Sequence, residues 1–507
     1  MTVRRVMGIE TEYGITRADD PAADPIHLSG LVVRAYAASA GPTRALPTGA
    51  GWDYADETPL RDARGYEMAR ALADLSQLTD EDDPAVANSV LSNGARLYVD
   101  HAHPEYSSPE VTSPRAAVLW DRAGEEVMVS AARALQGQEV PVRLYKNNVD
   151  GKGASYGTHD NYLVPRSVPF ADLVRGLLPF LVARQVICGA GRVGVGPASQ
   201  LPGYQIGARA DYMETEVGLE TTLKRPLVNT RDEPHASAAV HRRLHLIGGD
   251  ATSADVGGLL KVGTTSLVLR LVETGRAPEL ALQDPVGALR VISRDTTLRT
   301  TVPLEGGGSM SGLDILEAYL QACRDALAEE VPGWTADPDT AEVLERWGGL
   351  LDTMREDPMR ACGQVDWVAK LALLRGYRDR DGLAWDDPRL RLVDIQYSDV
   401  DPTRGLAARM RAAGRIESLV STDEVHHAVA SPPEDTRAWF RGECVRRYAA
   451  HVRAASWDSV VFAESGRGLR RVALPEPEQG TRAQVGDLLD RHSDAASLLG
   501  ELASTGA

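Results

Sequence analysis

The sequence predicts an α+β fold: a mainly antiparallel sheet with one polar, functional face and one face packed on helices, followed by a small C-terminal domain. Three observations predict it. Four strand-like segments carry polar side chains at i and i+2: Glu10/Glu12, Arg96/Tyr98/Asp100, His159/Asn161 and Arg243/His245. Side chains alternate across a strand, so the members of each set share a face. Segments with helical periodicity lie between these strands and after them. A Ser431-Pro432-Pro433 stretch reads as a hinge, dividing a catalytic domain over 1–433 from a C-terminal domain over 434–507.

The bulk composition narrows the class. A chain of 507 residues exceeds one small core, and 43% hydrophobic with 25% charged residues is ordinary for a globular protein. Lys+Arg 55 against Asp+Glu 72 gives a net charge of -17, which argues against non-specific nucleic-acid or anionic-membrane binding. A local basic pocket on an acidic body remains compatible with it. Cys188, Cys323, Cys362 and Cys444 are scattered without metal-ligand spacing and read as reduced thiols. The N-terminus has no apolar signal core, and no run of about eighteen apolar residues occurs. The expectation is a cytoplasmic protein with no membrane segment.

In chain order, Val3–Gly14 is an apolar strand ending in Gly-Ile-Glu-Thr-Glu-Tyr-Gly, and Leu28–Ala38 reads as a helix. Residues 41–83 lack a clean period except for a short helical stretch at Tyr66–Leu75. So long a loop is either a functional lid or a disordered linker. Arg96–Asp100 is a strand whose Leu97 and Val99 face a core, and Pro104 is expected to end it. Ala116–Ala134 is helical and Pro141–Asn147 strand-like. Pro169–Cys188 reads as a long buried helix bent by Pro179. Gly189–Gly194 matches GxGxxG, but a helix precedes it and Gly196-Pro197 follows. A helix C-cap and loop is therefore the reading, not a dinucleotide fingerprint. Lys224–His235 is a loop with Arg225 and Arg231 as candidate anion clamps, and His241–Ile247 is a strand. Asp314–Ala328, Thr340–Glu356 and Val365–Tyr377 are scaffold helices, and Leu390–Tyr397 is read as a strand. The C-terminal segment holds strands at Trp457–Ala463 and Arg470–Leu474 and then a short helix.

Four polar half-strands gather carboxylates, imidazoles and arginines onto one face. Carboxylates suit Mg²⁺, and histidine admits manganese. Interleaved arginines suggest that the metal comes with phosphate. The residues thus point to a metal–nucleotide site built on a sheet, without a P-loop. The bland alternative is a set of surface salt bridges on an antiparallel sheet.

These same residues carry a resemblance. Gly8–Ile15 (GIETEYGI), Asn93–Asp100 (NGARLYVD), His103–Glu110 (HPEYSSPE), Tyr156–Leu163 (YGTHDNYL), Asn229–Ala236 (NTRDEPHA) and Arg242–His245 (RRLH) resemble, in order, the actinobacterial Pup ligase/deamidase family. That family belongs to the glutamine synthetase-like carboxylate–amine ligase superfamily, so the resemblance implies a curved glutamine synthetase-like sheet. Gly51–Gly65 (GWDYADETPLRDARG) looks like the loop inserted in the deamidase/depupylase branch. The resemblance implies Glu10, Tyr98, Glu105, His159 and His245 as magnesium ligands. It places Gly8, Ile9, Glu10, Thr11, Glu12, Arg96, Ser107, Ser108, Asn161, Arg243 and Trp457 around ATP, with Asp100 as the catalytic aspartate. Ser108 stands where the ligase has threonine, and the Asp100-to-Glu105 spacing is one residue shorter than in the ligase.

The implied reaction is amide hydrolysis on Pup and on pupylated proteins, with an indirect link to the proteasome and its ATPase ring. Asp100 acts either as nucleophile or as base. An ordinary Asp pKa of about 3.9 lies far below neutral, which disfavours the base and suits a nucleophile. The rivals are a Pup–protein ligase using the same face, a non-enzymatic Pup adaptor, and a glutamate–cysteine-type ligase.

Overall fold

The alternation read from the sequence is realised in a six-stranded, fully antiparallel sheet. The computed structural model describes residues 1–39, 51–55, 57–70, 73, 87–330, 336–464 and 468–504. The strand order is His241–Leu246, Thr158–Pro165, Met7–Glu12, His103–Ser107, Arg96–Asp100 and Asn88–Val90. Met7–Glu12, the first strand in sequence, lies near the middle of the sheet. It pairs Glu10 with His159 on one side and with Ser107 on the other. Register then aligns the polar half-strands: Tyr98 with Glu105, Glu105 with Glu12, and Asn161 with both Gly8 and His245. Because partners across a register share a face, four separate i, i+2 patterns become one polar surface.

The opposite face is buried under helices. Leu97 and Val99 join a core with the helices Pro25–Ser39 and Pro114–Gln136. Met7, Ile9, Tyr162, Leu244 and Leu246 join the main core with Phe170–Cys188 and Asp255–Glu273. This inner face is not wholly apolar. Asp160 forms a buried ion pair with Arg184 (2.5 Å), and Lys146 Nζ meets Asp121 at 2.6 Å. Each of these four charges keeps a partner, as the cost of desolvation requires. Pro169 precedes the Phe170–Cys188 helix and Pro179 lies inside it. Gly189 caps that helix as expected, but the rest of the glycine-rich run is not all loop, since Arg192–Val195 is a strand.

Three local expectations are corrected. Leu390–Tyr397 is not a strand but part of the helix Pro388–Tyr397. Asp387 caps it by accepting from Arg389 N–H, Pro388 fills the first turn, and Leu390, Val393 and Tyr397 bury one helical stripe. Pro104 does not end the Arg96–Asp100 strand. That strand stops at Asp100, where His101 turns with φ 52°, and Pro104 sits inside the returning strand opposite Val99. Tyr66–Glu67 is a strand paired with Arg61–Asp62, not the start of a helix. Residues 71, 72, 74 and 75 of that expectation lie outside the described residues.

A second core forms around Phe440, Val452, Val460, Phe462, Leu489 and Leu498. Its four-stranded sheet runs Gly468–Ala473, Ser459–Glu464, Val452–Ala455 and Gly51–Trp52. The last strand comes from the long loop, so that loop is stitched to the C-terminal sheet, with Trp52 packed in the second core. The C-terminal end carries two helices where one was expected, Arg482–Arg491 and Ala495–Ser504. Glu110 joins the two cores through Arg437 (2.7 Å) and Arg441. Among the described residues, no helix is long and apolar enough to cross a membrane.

Candidate active site

The polar face opens into two adjoining cavities. The first, of about 250 Å³, is lined by Glu10, Glu12, Arg96, Tyr98, Asp100, Glu105, His159 and His245 among others. It thus contains all five residues expected as magnesium ligands and the expected catalytic aspartate. The second is lined by Gly8, Ile9, Glu10, Ser107, Ser108, Asn161, Arg243 and Trp457. Those are eight of the residues expected around the nucleotide. Arg96 and Glu12 line the first cavity instead, and Thr11 lines neither. Thr11 turns to the helix side, where its hydroxyl lies 3.3 Å from Asp121 Oδ1.

Two sets of side chains converge closely enough to hold a cation. Glu10, His159 and His245 form one, and Glu12, Asp100 and Glu105 the other, each with donor atoms within 4.8 Å of one another. The second set is a feature the sequence reading missed, since Glu12 was assigned to the nucleotide. Its strand parity placed it on the correct face, but only register places it opposite Glu105.

The electrostatics favour a cation. Burial raises the Glu105 carboxyl well above its ordinary range, and the neighbouring Asp100, Glu12 and Glu10 raise it further. Glu105 Oε2 is buried without a well-formed hydrogen bond, although the Tyr98 hydroxyl is close enough to ease its charge. A hard cation among these oxygens would relieve that repulsion, so the donor set fits magnesium. Burial and the Arg243 charge push His245 well below its usual range, which leaves a neutral imidazole able to ligate. Burial pushes the Tyr98 phenol well above 10, so Tyr98 stays neutral and is a weaker donor than the carboxylates. For Asp100, burial opposes charge, but the His101 bond, at 2.9 Å, and the nearby His159 and Arg231 charges hold its pKa at about 2.

The wall of the first cavity includes Tyr54, Glu57 and Pro59, from the described part of the long loop. That part docks on the Asn229–Glu233 segment. Thr58 N–H donates to Glu233 (2.7 Å), Ala63 N–H to Thr230 O (2.8 Å), and Thr230 Oγ1 to Asp62 Oδ2 (2.6 Å). Trp52 meets Trp457 edge-on at 5.2 Å, and the Arg96 guanidinium lies 4.1 Å from the Trp52 ring centre. These contacts hold the described part of the loop against the cavity and the second core. Arg225 and Arg231 line the same cavity, as does Arg209, which no sequence pattern indicated.

The sheet thus carries a carboxylate-rich cleft beside a cavity walled by glycine, serine, arginine and tryptophan, in a chain without a P-loop. The family model described as Pup-ligase protein matches residues 5–461, so the chain belongs to the Pup ligase family. It is 52% identical over 505 residues to the Pup deamidase/depupylase of Mycolicibacterium smegmatis, covering 99% of this chain and 100% of that protein. Among solved structures it is similar to the ligase PafA in complex with the ubiquitin-like protein Pup. The TM-score is 0.78 and the identity 31%, over 96% of this chain and 92% of that one. A second PafA structure, in complex with ADP, matches with TM-score 0.72 and 32% identity over 84% of this chain and 96% of that one.

Proposed function

We propose that the protein is an amidohydrolase that deamidates the C-terminal glutamine of Pup to glutamate and cleaves the isopeptide bond between Pup and lysine side chains. The observation that carries this reading is the 52% end-to-end identity to a Pup deamidase/depupylase, against 35–40% to Pup–protein ligases. The loop that walls the catalytic cavity supports it, since this is the segment that resembles the hydrolase branch.

Asp100 is the residue proposed to do the chemistry. With a pKa of about 2 it is a poor general base near neutral pH, but it is fully ionised and available to attack. Its carboxylate oxygen adds to the amide carbonyl and the C–N bond breaks. Ammonia or the lysine amine leaves with a proton taken from the incoming water, and a mixed anhydride of Asp100 with the Pup glutamyl group remains. The hydroxide left by that water then opens the anhydride and restores the Asp100 carboxylate. Magnesium, held by Glu10, Glu105, His159 and His245 with Tyr98 and Glu12 adjoining, would polarise the carbonyl and offset the crowded carboxylates. ATP would lie against Gly8, Ile9, Ser107, Ser108, Asn161, Arg243 and Trp457, and would be retained rather than consumed, because amide hydrolysis needs no phosphoryl energy. The same proposal places the enzyme in the cytoplasm, acting on proteins marked for the proteasome, with a domain division near residue 433.

The test is deamidation of Pup ending in Gln, with and without ATP and Mg²⁺. Turnover that needs both, and that a non-hydrolysable ATP analogue supports, is expected. Steady formation of Pup–lysine conjugate with ADP release, in place of deamidation, would establish the ligase instead.

A further inference from the structure

Two guanidinium groups in the catalytic cavity form no ion pair among the described residues, although the Glu12 charge acts on both. Arg209 is only 2% exposed, yet its Nε donates to Ser155 Oγ (3.2 Å) and its Nη1 to Ile247 O, both neutral acceptors. Arg225 Nη2 donates to Ser155 O (2.7 Å), and its Nε is buried without a partner. Among the described residues neither forms an ion pair. Several other buried arginines are paired: Arg184 faces Asp160, Arg192 faces Asp211, and Arg437 and Arg441 face Glu110. Burial and the Arg225 charge lower the Arg209 pKa to about 10, and the Glu12 and Asp250 charges offset only part of this. Adjacent guanidiniums without ion pairs, one buried and one half-buried, are costly unless an anion joins them.

Arg209 and Arg225, with Thr221 and Thr222, line the same cavity as the Glu10, Glu12, Asp100 and Glu105 carboxylates. The anion that fits is an oxyanion, carboxylate or phosphate. A C-terminal glutamine supplies a carboxylate beside the reacting amide, and an internal glutamine does not. We propose that Arg209 and Arg225 form a subsite for the α-carboxylate of the substrate's C-terminal residue, and so restrict the enzyme to chain ends. This rests on the amidohydrolase reading above.

The test uses Pup ending in Gln with a free α-carboxylate and the same chain ending in the α-carboxamide, at saturating ATP and Mg²⁺. The wild-type enzyme is expected to lose roughly 10- to 100-fold in kcat/KM on the carboxamide, the worth of a charge-assisted hydrogen bond. This arm needs no variant and is immune to misfolding. Arg225→Ala is expected to lose activity on the free acid by a similar factor and to close most of the gap between the two substrates, with nucleotide affinity kept. Equal wild-type turnover of both substrates would overturn the subsite alone. So would an Arg225→Ala enzyme that keeps the gap but binds ATP more weakly, since the anion would then be a nucleotide phosphate. No turnover of the free acid by the wild type would overturn the amidohydrolase reading, and the subsite with it.

Discussion

Asp100 owes its position to a strand end. Alternation puts it on the polar face with Tyr98 and Arg96, and the left-handed turn at His101 brings that imidazole within 2.9 Å of its carboxylate. Asp100→Asn keeps the shape and removes the charge. It is expected to lower kcat by about 1,000-fold or more while leaving the ATP dissociation constant within about threefold, measured by single-turnover deamidation and by calorimetry. Gly157 is the residue with least freedom beside the site. Its N–H donates to Glu12 Oε1, and a Cβ there would press on both His159 Nε2 and Glu12 Oε1. Gly157→Ala should therefore weaken Mg²⁺ activation by roughly 10-fold, read from a Mg²⁺ titration of activity, with little change in Tm because both neighbours are side-chain tips. At this scale most of the site was legible in the sequence. Residues such as Glu10, Tyr98 and His245 announce themselves by parity on half-buried strands. Arg209 does not, because it precedes a short 3-10 turn, Ala210–Tyr212, whose place beside Ser155 is decided by tertiary closure.

The element that most affects the site is the long loop. Its described part carries strand Gly51–Trp52 into the C-terminal sheet and hairpin Arg61–Asp62/Tyr66–Glu67 onto Asn229–Glu233. The sequence left this segment open because strands of two residues are too short to show a period. The Leu390–Tyr397 error has a different cause. An apolar run of that length fits strand or helix, and the Asp387-Pro388 cap that settles it lies just outside the run. If the hairpin positions the cavity wall, Asp62→Ala should lower kcat by about 10-fold through loss of the Thr230 bond, with Tm lowered by only a few degrees. Unchanged kinetics would show that the loop's grip on this segment does not matter to turnover.

Across the whole molecule, the two cores are joined by a buried ion cluster. Burial disfavours the Glu110 charge, but Arg441 and Arg437 outweigh it and hold the carboxyl at about 2. A carboxyl depressed in the folded state stabilises above its unfolded value of about 4.5, and that contribution is lost as pH falls from about 4.5 towards 2. Glu110→Gln should accordingly cost on the order of 3 kcal/mol at pH 7, by denaturant unfolding. The gap to wild type should shrink below about pH 4. The overall fold class was legible because strands such as Arg96–Asp100 and Thr158–Pro165, buried on alternate residues, must alternate in sequence. The joining of the two cores was not, because Glu110, Arg437 and Arg441 are far apart in the chain and follow no local pattern.

The central claim is that Asp100 on this sheet attacks the Pup amide carbonyl. Single-turnover deamidation in the presence of hydroxylamine, followed by mass spectrometry of the Asp100 peptide, addresses it directly. The account predicts a hydroxamate on Asp100 that forms with product and is absent without nucleotide. Full product formation with Asp100 left unmodified would contradict it.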